Sequence, residues 1–209
     1  MPQYKLTYFD FDGGRGEPIR IALHAAGIDF EDERLTFPEF GAMRHGTRFN
    51  ALPVLEIDGQ QVSQSNALLR YVGKMGGLYP ADDLQALYCD EVMDAVEDLS
   101  HHIGSTFFLE GDEQRLAREK LVDGWMPVFL SGLDALLARG GEYFASNALT
   151  VADLKVFLQT RWLCSGSLDH IPTDIMQRLA PGLVDHEKRI GDDPRVIAYY
   201  ASRSLSSSE

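Results

Sequence analysis

The chain has 209 residues, 44% hydrophobic and 24% charged, the composition of an ordinary soluble globular protein long enough for one large core or two small ones. Its net charge of −13 argues against tight binding to a phosphate backbone or an anionic membrane surface, because both need a basic patch, so no nucleic acid partner is expected. No apolar run approaches the roughly 20 residues of a membrane span, and Met1-Pro2-Gln3-Tyr4-Lys5 carries no signal-peptide core, so the expectation is a cytoplasmic protein with no membrane partner.

Tyr4 to Phe9 alternates like a strand and stops at Asp10. The glycine-rich loop Asp10-Phe11-Asp12-Gly13-Gly14-Arg15-Gly16 follows, and Pro18 suits the first helical position. Ile19, Ala22, Leu23 and Ala26 fall at i, i+3, i+4 and i+7, and Gly27 ends that helix. Phe30 to Leu35 is a weaker strand that completes a βαβ unit, and Phe37 to Phe49 reads as a short irregular helical region. Val54 to Ile57 alternates and is β-branched, Asp58-Gly59 is a hairpin turn signal, and Ser65 can cap the apolar run Ala67-Leu68-Leu69-Tyr71-Val72. Pro53 cannot donate to a sheet ladder, so it fixes a turn, in cis or trans, beside the backbone of Leu52. Gln64 and Ser65 stand at a helix N-terminus, where N–H groups and the dipole favour a carboxylate. Residues 1–76 thus read βαβα-ββα.

After a linker at residues 77–82 the pattern turns helical over 83–203. Leu84, Tyr88, Val92, Ala95, Leu99 and Ile103 mark one long helix; Val122, Trp125, Phe129, Leu133 and Leu136 mark another, kinked by Pro127. Thr150 with Asp153 at N3 makes a capping box, with Leu149 placed to staple onto Leu154. Pro181 and Pro194 open further short helices, and residues 204–209 read as a frayed tail. Cys89 and Cys164 lie far apart and form no CxxC motif, so neither a disulfide framework nor a dithiol centre is expected.

Tyr4 to Arg20, Leu52-Pro53-Val54-Leu55, Gln64-Ser65, Asp90 to Asp98 and Asn147 to Asp153 come in an order that resembles a cytosolic glutathione transferase, most similar to the sigma class that includes glutathione-dependent prostaglandin D synthases. The resemblance implies an α/β plus all-α protein, with a thioredoxin-like glutathione-binding domain and an all-helical domain that completes an electrophile pocket. It implies a homodimer that uses glutathione as co-substrate and requires no metal.

By the same resemblance Tyr8 matches the thiol-activating tyrosine, and Arg15 an arginine that supports it. Read without it, Tyr8 is an amphipathic ring with a wet hydroxyl and Arg15 a solvated loop charge. The resemblance also implies that Tyr8, Phe9, Arg15, Phe40, Arg44, Leu52, Pro53, Gln64 and Ser65 contact glutathione: Leu52 through its backbone, Gln64 and Ser65 at the γ-glutamyl carboxylate. Phe40 and Arg44 replace the tryptophan and lysine the family commonly places at the glycyl end. Arginine can bind a carboxylate bidentately, whereas phenylalanine lacks the indole donor. Asn50 and Ala51 stand where a lysine is common.

Asp94, Glu97, Asp98 and His101 share one helix face. For Asp94 and Glu97 the plain reading is a solvated acidic face. The resemblance implies that Asp98 reaches the glutathione amino group across a dimer interface. Phe11, Gly14 and Phe108 are candidates for the second-substrate pocket, and each phenylalanine suits a core position equally well. Gly104-Ser105-Thr106 and Leu158-Gln159-Thr160 stand where prostaglandin-isomerising relatives carry an aromatic and a cysteine. The expected activity is therefore conjugation of glutathione to small hydrophobic electrophiles in a detoxifying role. The alternatives are a glutathione-dependent isomerase or peroxidase, a cysteine-type thiol exchanger, and a non-catalytic lens-type or ligand-carrier relative.

Overall fold

The computed structural model describes residues 2–206. The chain divides into two compact units: residues up to Tyr79 together with those from Asp192 onward, and Pro80–Gly191. The first contains β1 (Tyr4–Phe9), α1 (Glu17–Ala25), β2 (Glu31–Leu35), α2 (Phe37–Met43), a 3-10 turn at Arg44–Gly46, β3 (Val54–Ile57), β4 (Gln60–Ser63) and α3 (Ser65–Met75). The second contains α4 (Asp83–Gly104), α5 (Gly111–Asp123), α6 (Trp125–Gly140), α7 (Val151–Cys164), α8 (Ile175–Leu179) and α9 (Pro181–Gly191). Helix α10 (Pro194–Ser206) returns to the first unit.

The four strands run in the order β2-β1-β3-β4, with β2 parallel to β1 and the other pairs antiparallel, a thioredoxin-like sheet. Leu6, Val54 and Leu55 are buried on it, and α1 packs against α3 with Ile19, Ala22, Leu23, Leu68, Leu69 and Val72 all buried. The β3–β4 hairpin turns on Asp58 and Gly59, both left-handed at φ 50° and 79°, the pair of positive angles that matches the strand twist. At the sheet edge β2 spends its charges on neighbours: Glu33 bonds Lys5 at 2.7 Å and accepts from Thr7 Oγ1 at 2.7 Å.

Ser65 does not cap α3. Gln64 occupies the cap position without a side-chain cap bond, and Ser65 is the first helical residue, because Ser63 is still paired in β4 and leaves one residue for the turn.

In the second unit, every residue from Val151 to Thr160 is buried, so α7 forms the centre, packed by α4 and α9. The helix expected to kink at Pro127 is two helices that break at Gly124, where a Cβ would lie 2.9 Å from the Lys120 carbonyl. Pro127 falls in the first turn of α6, where its missing N–H removes no intrahelical bond. The buried stripe is accordingly Met126, Leu130, Leu133 and Leu137, leaving Trp125 exposed. Counted as one segment, Gly111–Gly140 is long and apolar enough to cross a membrane by length and composition, against the expectation that no apolar run approaches a span. The break divides it into 13 and 16 residues, each short of the roughly 20 that a span needs.

The end of the chain also differs from expectation. Val196 and Tyr199 are buried and α10 packs on α1, so the segment read as the close of the helical domain belongs to the first unit. The helix continues through Ser206 where fraying was expected from Ser204, and the rest of the expected tail, 207–209, lies outside the described residues.

Candidate active site

Strand register builds the site. Thr7 pairs with Val54 and Val54 with Ser63, so the residues one step beyond those pairs, Tyr8 in β1, Pro53 just before β3 and Gln64 just after β4, follow at the same end of three adjacent strands. The Leu52–Pro53 bond is cis, and Gln64 sits at φ 79°, which a non-glycine side chain seldom adopts and which is found disproportionately at functional sites. Ser65, buried, then opens α3.

Tyr8 is only 5% exposed, and its Oη accepts the Arg15 backbone N–H at 2.9 Å. Two glycines permit this. A Cβ on Gly14, itself left-handed at φ 62°, would stand 2.5 Å from Tyr8 Oη; one on Gly16 would collide with the Tyr8 ring and Cβ. Arg15 therefore meets the tyrosine through its amide, a contact that side-chain reasoning could not supply.

Around Tyr8 lies an aromatic surface. Its ring meets Phe9 at 5.3 Å and Phe11 at 5.8 Å, both edge-on, and Phe9 meets Phe40 at 5.4 Å and Phe37 at 4.6 Å. Phe11 and Phe37 remain exposed. Phe37, expected to begin a helical region, opens α2 behind a Thr36–Glu39 capping box in which Thr36 N donates to Glu39 Oε2 at 2.7 Å; its place on this aromatic surface was not expected. Arg44 is tied to the segment before Pro53 through buried Thr47, whose Oγ1 donates to the Arg44 carbonyl at 2.8 Å and accepts the Ala51 N–H at 3.1 Å.

Behind the loop lies a buried charged network that the sequence reading did not find. Arg20, fully buried, donates to Asp32 at 2.8 Å, Glu17 Oε2 at 3.1 Å, the Phe9 carbonyl at 3.3 Å and the Phe11 carbonyl at 3.5 Å. Glu17 Oε1 accepts from Tyr199 Oη at 3.0 Å and from Arg203 at 3.2 Å, and Arg203 also binds Asp12. Burial raises the Glu17 carboxyl above its ordinary value, opposed by Arg20, Tyr199 and Arg203. Burial, reinforced by Glu17, raises the Tyr199 hydroxyl.

Asp98 and Phe108 belong to the second unit, and both are exposed, Phe108 at 93%. On the same helix as Asp98 the acidic face is less solvated than expected, because Glu97 bonds the buried Lys155 at 2.7 Å. His102 stacks on Trp125 at 4.7 Å, while His101 is exposed and bonds the Glu97 carbonyl. Among the described residues no group of three or more His, Cys, Asp or Glu side chains is placed to hold a metal ion. Burial pushes the Cys89 thiol up to about 12, and burial followed by Glu187 raises Cys164, so both resist forming the thiolate that a cysteine-type exchanger needs.

Residues 4–74 match the family described as "Glutathione S-transferase, N-terminal domain" and residues 97–203 match "Glutathione S-transferase, C-terminal domain". Glutathione S-transferase 1 of Ascaris suum is 37% identical over 165 residues, covering 75% of this chain and 78% of the relative. Hematopoietic prostaglandin D synthase of Gallus gallus is 28% identical, covering 97% of this chain and 98% of its own. The solved structure of prostaglandin synthase D of Nilaparvata lugens superposes with a TM-score of 0.85 at 28% identity, over 97% of this chain and 98% of that one. With both halves matched in order on a thioredoxin-like sheet and a helical unit, the chain belongs to the glutathione S-transferase family, on the side of it that includes the prostaglandin D synthases.

Proposed function

We propose that this enzyme binds glutathione along the row ended by Tyr8, Pro53 and Gln64, and that the Tyr8 hydroxyl holds its sulfur as a thiolate for attack on small hydrophobic electrophiles. The observation that carries this reading is the Arg15 N–H donated to Tyr8 Oη at 2.9 Å, since a hydroxyl that accepts from an amide is polarised to donate its own hydrogen more strongly. Lowering a thiol pKa from about 8.5 by roughly two units takes about 2.7 kcal/mol. One hydrogen bond to an anion supplies about 1.5–3 kcal/mol, so a single hydroxyl provides most of it. The thiol proton passes to solvent; the sulfur then bonds to the electrophilic carbon and expels a leaving group such as chloride. The exposed Phe11 ring beside Tyr8, with Gly14, suits an apolar second substrate; Phe108 is its candidate from the second unit.

The rest of the tripeptide follows from local chemistry. The γ-glutamyl carboxylate suits the positive end of α3 at Gln64 and Ser65, the cysteinyl backbone suits Leu52, and the glycyl carboxylate suits Arg44 beside Phe40. Asp98 reaches the amino group in a second copy of the chain, so the working form is a homodimer.

Purified protein given glutathione and a chlorinated dinitrobenzene is expected to form the conjugate. A protein that binds glutathione and isomerises a prostaglandin endoperoxide or reduces a peroxide, yet conjugates nothing, would overturn the conjugating reading; one inert on all three would be a carrier. Titration calorimetry tests the pose: Ser65→Ala and Asp98→Asn should each weaken glutathione binding, Ser65→Ala by about 1.5–3 kcal/mol for the loss of one bond to a charge. Undiminished affinity in either variant removes that residue from the site.

A further inference from the structure

We propose that Arg203, on α10, is a positioning residue for thiol activation: by bonding Asp12 and Glu17 together it sets the glycine-rich loop whose Arg15 N–H backs the Tyr8 hydroxyl. The inference rests on the Tyr8 reading above and goes beyond it, because Arg203 lies 195 positions from Tyr8 in sequence and no feature of the linear chain connects them.

Two routes lead from Arg203 to Tyr8. The first is direct. Arg203 binds Asp12, the exposed loop residue between Phe11 and Gly13, and the loop then passes through Gly14 to the amide of Arg15. The second runs through the interior. Arg203 and Tyr199 share Glu17 Oε1 at 3.2 and 3.0 Å; Glu17 Oε2 bonds Arg20 at 3.1 Å. Arg20 in turn donates to the carbonyls of Phe9 and Phe11, holds Asp32, and places its guanidinium 5.7 Å from the centre of the Tyr8 ring. Asp32 also bonds Arg34 at 2.8 Å, and Tyr199 packs edge-on against His24, so the charged and titratable groups facing this network come from the loop, α1, β2 and α10. The Gly14 approach to Tyr8 Oη leaves no room for a Cβ, so the loop cannot shift toward Tyr8 without collision, and a shift away lengthens the Arg15 bond. A clamp on Asp12 acts two residues before that close approach.

A merely structural Arg203, or one acting only by distant charge, would affect the bound thiol equally whether or not position 8 carries a hydroxyl. The test is therefore a cycle. Arg203→Met, Arg203→Lys and Asp12→Asn are made alone and each with Tyr8→Phe, and the thiolate absorbance of bound glutathione is followed against pH. Arg203→Met should raise the thiol pKa by roughly half a unit to one unit, a three- to ten-fold loss of thiolate near neutral pH. Asp12→Asn should raise it less, Arg203→Lys should recover part of the shift, and all three shifts should vanish in the Tyr8→Phe background. Asp12 is exposed, so Asp12→Asn carries the test if Arg203→Met does not fold. An unchanged pKa in the foldable variants, or an equal rise with phenylalanine at position 8, overturns the proposal. If Tyr8→Phe alone leaves the pKa unmoved, the Tyr8 reading falls instead, and this one with it.

Discussion

Tyr8→Phe should slow conjugation by roughly one to two decades at neutral pH while leaving glutathione affinity and folding nearly intact. The substitution removes one hydroxyl and keeps the ring, which is 5% exposed and packed edge-on against Phe9 and Phe11. What is lost is one hydrogen bond to an anion, about 1.5–3 kcal/mol, and 1.36 kcal/mol corresponds to about one decade in rate. The orphaned Arg15 N–H adds a smaller cost to stability, since it faces a loop that water can reach. The rate deficit should shrink as pH rises toward the free thiol's pKa of about 8.5, because hydroxide then removes the proton without help. Ultraviolet difference spectra of bound glutathione measure the thiolate directly. If wild type and Tyr8→Phe titrate together, Tyr8 is not the activating group, and the remaining candidate is the positive charge of Arg15.

The largest effect on stability is expected at Asp153. Its carboxylate is fully buried and accepts four bonds: Thr150 N at 2.8 Å, Thr150 Oγ1 at 2.6 Å, Phe144 N at 3.1 Å and His186 Nε2 at 2.9 Å. Asp153→Ala leaves those donors in the interior beside a cavity at the head of α7, the helix at the centre of the second unit. Removing one partner of a buried charged group costs about 3–5 kcal/mol, a large share of the roughly 5–15 kcal/mol that holds a typical domain together. Asp153→Asn should cost nearly as much, because it turns an N–H group toward donors. Urea denaturation of both variants reads the loss. A change below about 1 kcal/mol would mean that water or a rotated side chain replaces the carboxylate.

Local chemistry was legible in the sequence, and pairings between distant residues were not. Asp58-Gly59 announced its hairpin because few dipeptides accept two left-handed residues in succession, and Gly27 announced the end of α1 in the same way, at φ 63°. Thr150 and Asp153 announced the start of α7 because a capping box is complete within four residues. Gly124 and Pro127 both break helices, and only the structure shows that the glycine takes the break while the proline is absorbed by the next first turn. Within the candidate site, Pro53, Gln64 and Ser65 were marked by turn and helix-start chemistry and Tyr8 by resemblance, and register explains why Tyr8, Pro53 and Gln64 come together. The backbone contact of Arg15 with Tyr8 was hidden because amides carry no letter in the sequence. The Glu17–Arg20–Arg203 network was hidden because its acid and its last base are 186 residues apart, and isolated charges read as solvated until something buries them.

The placement of α10 has a consequence for the order of synthesis. The thioredoxin-like unit is discontinuous along the chain: everything from Pro80 to Gly191 is made between its last strand-flanking helix and the helix that finishes it. Val196 and Tyr199, both buried in that unit, are joined only after Gly191, the end of the helical unit. The helical unit is one uninterrupted stretch and has all its parts at hand earlier, as domains made from continuous segments do. The unit whose strands precede Pro80 therefore has its interior completed only after the helical unit has been made.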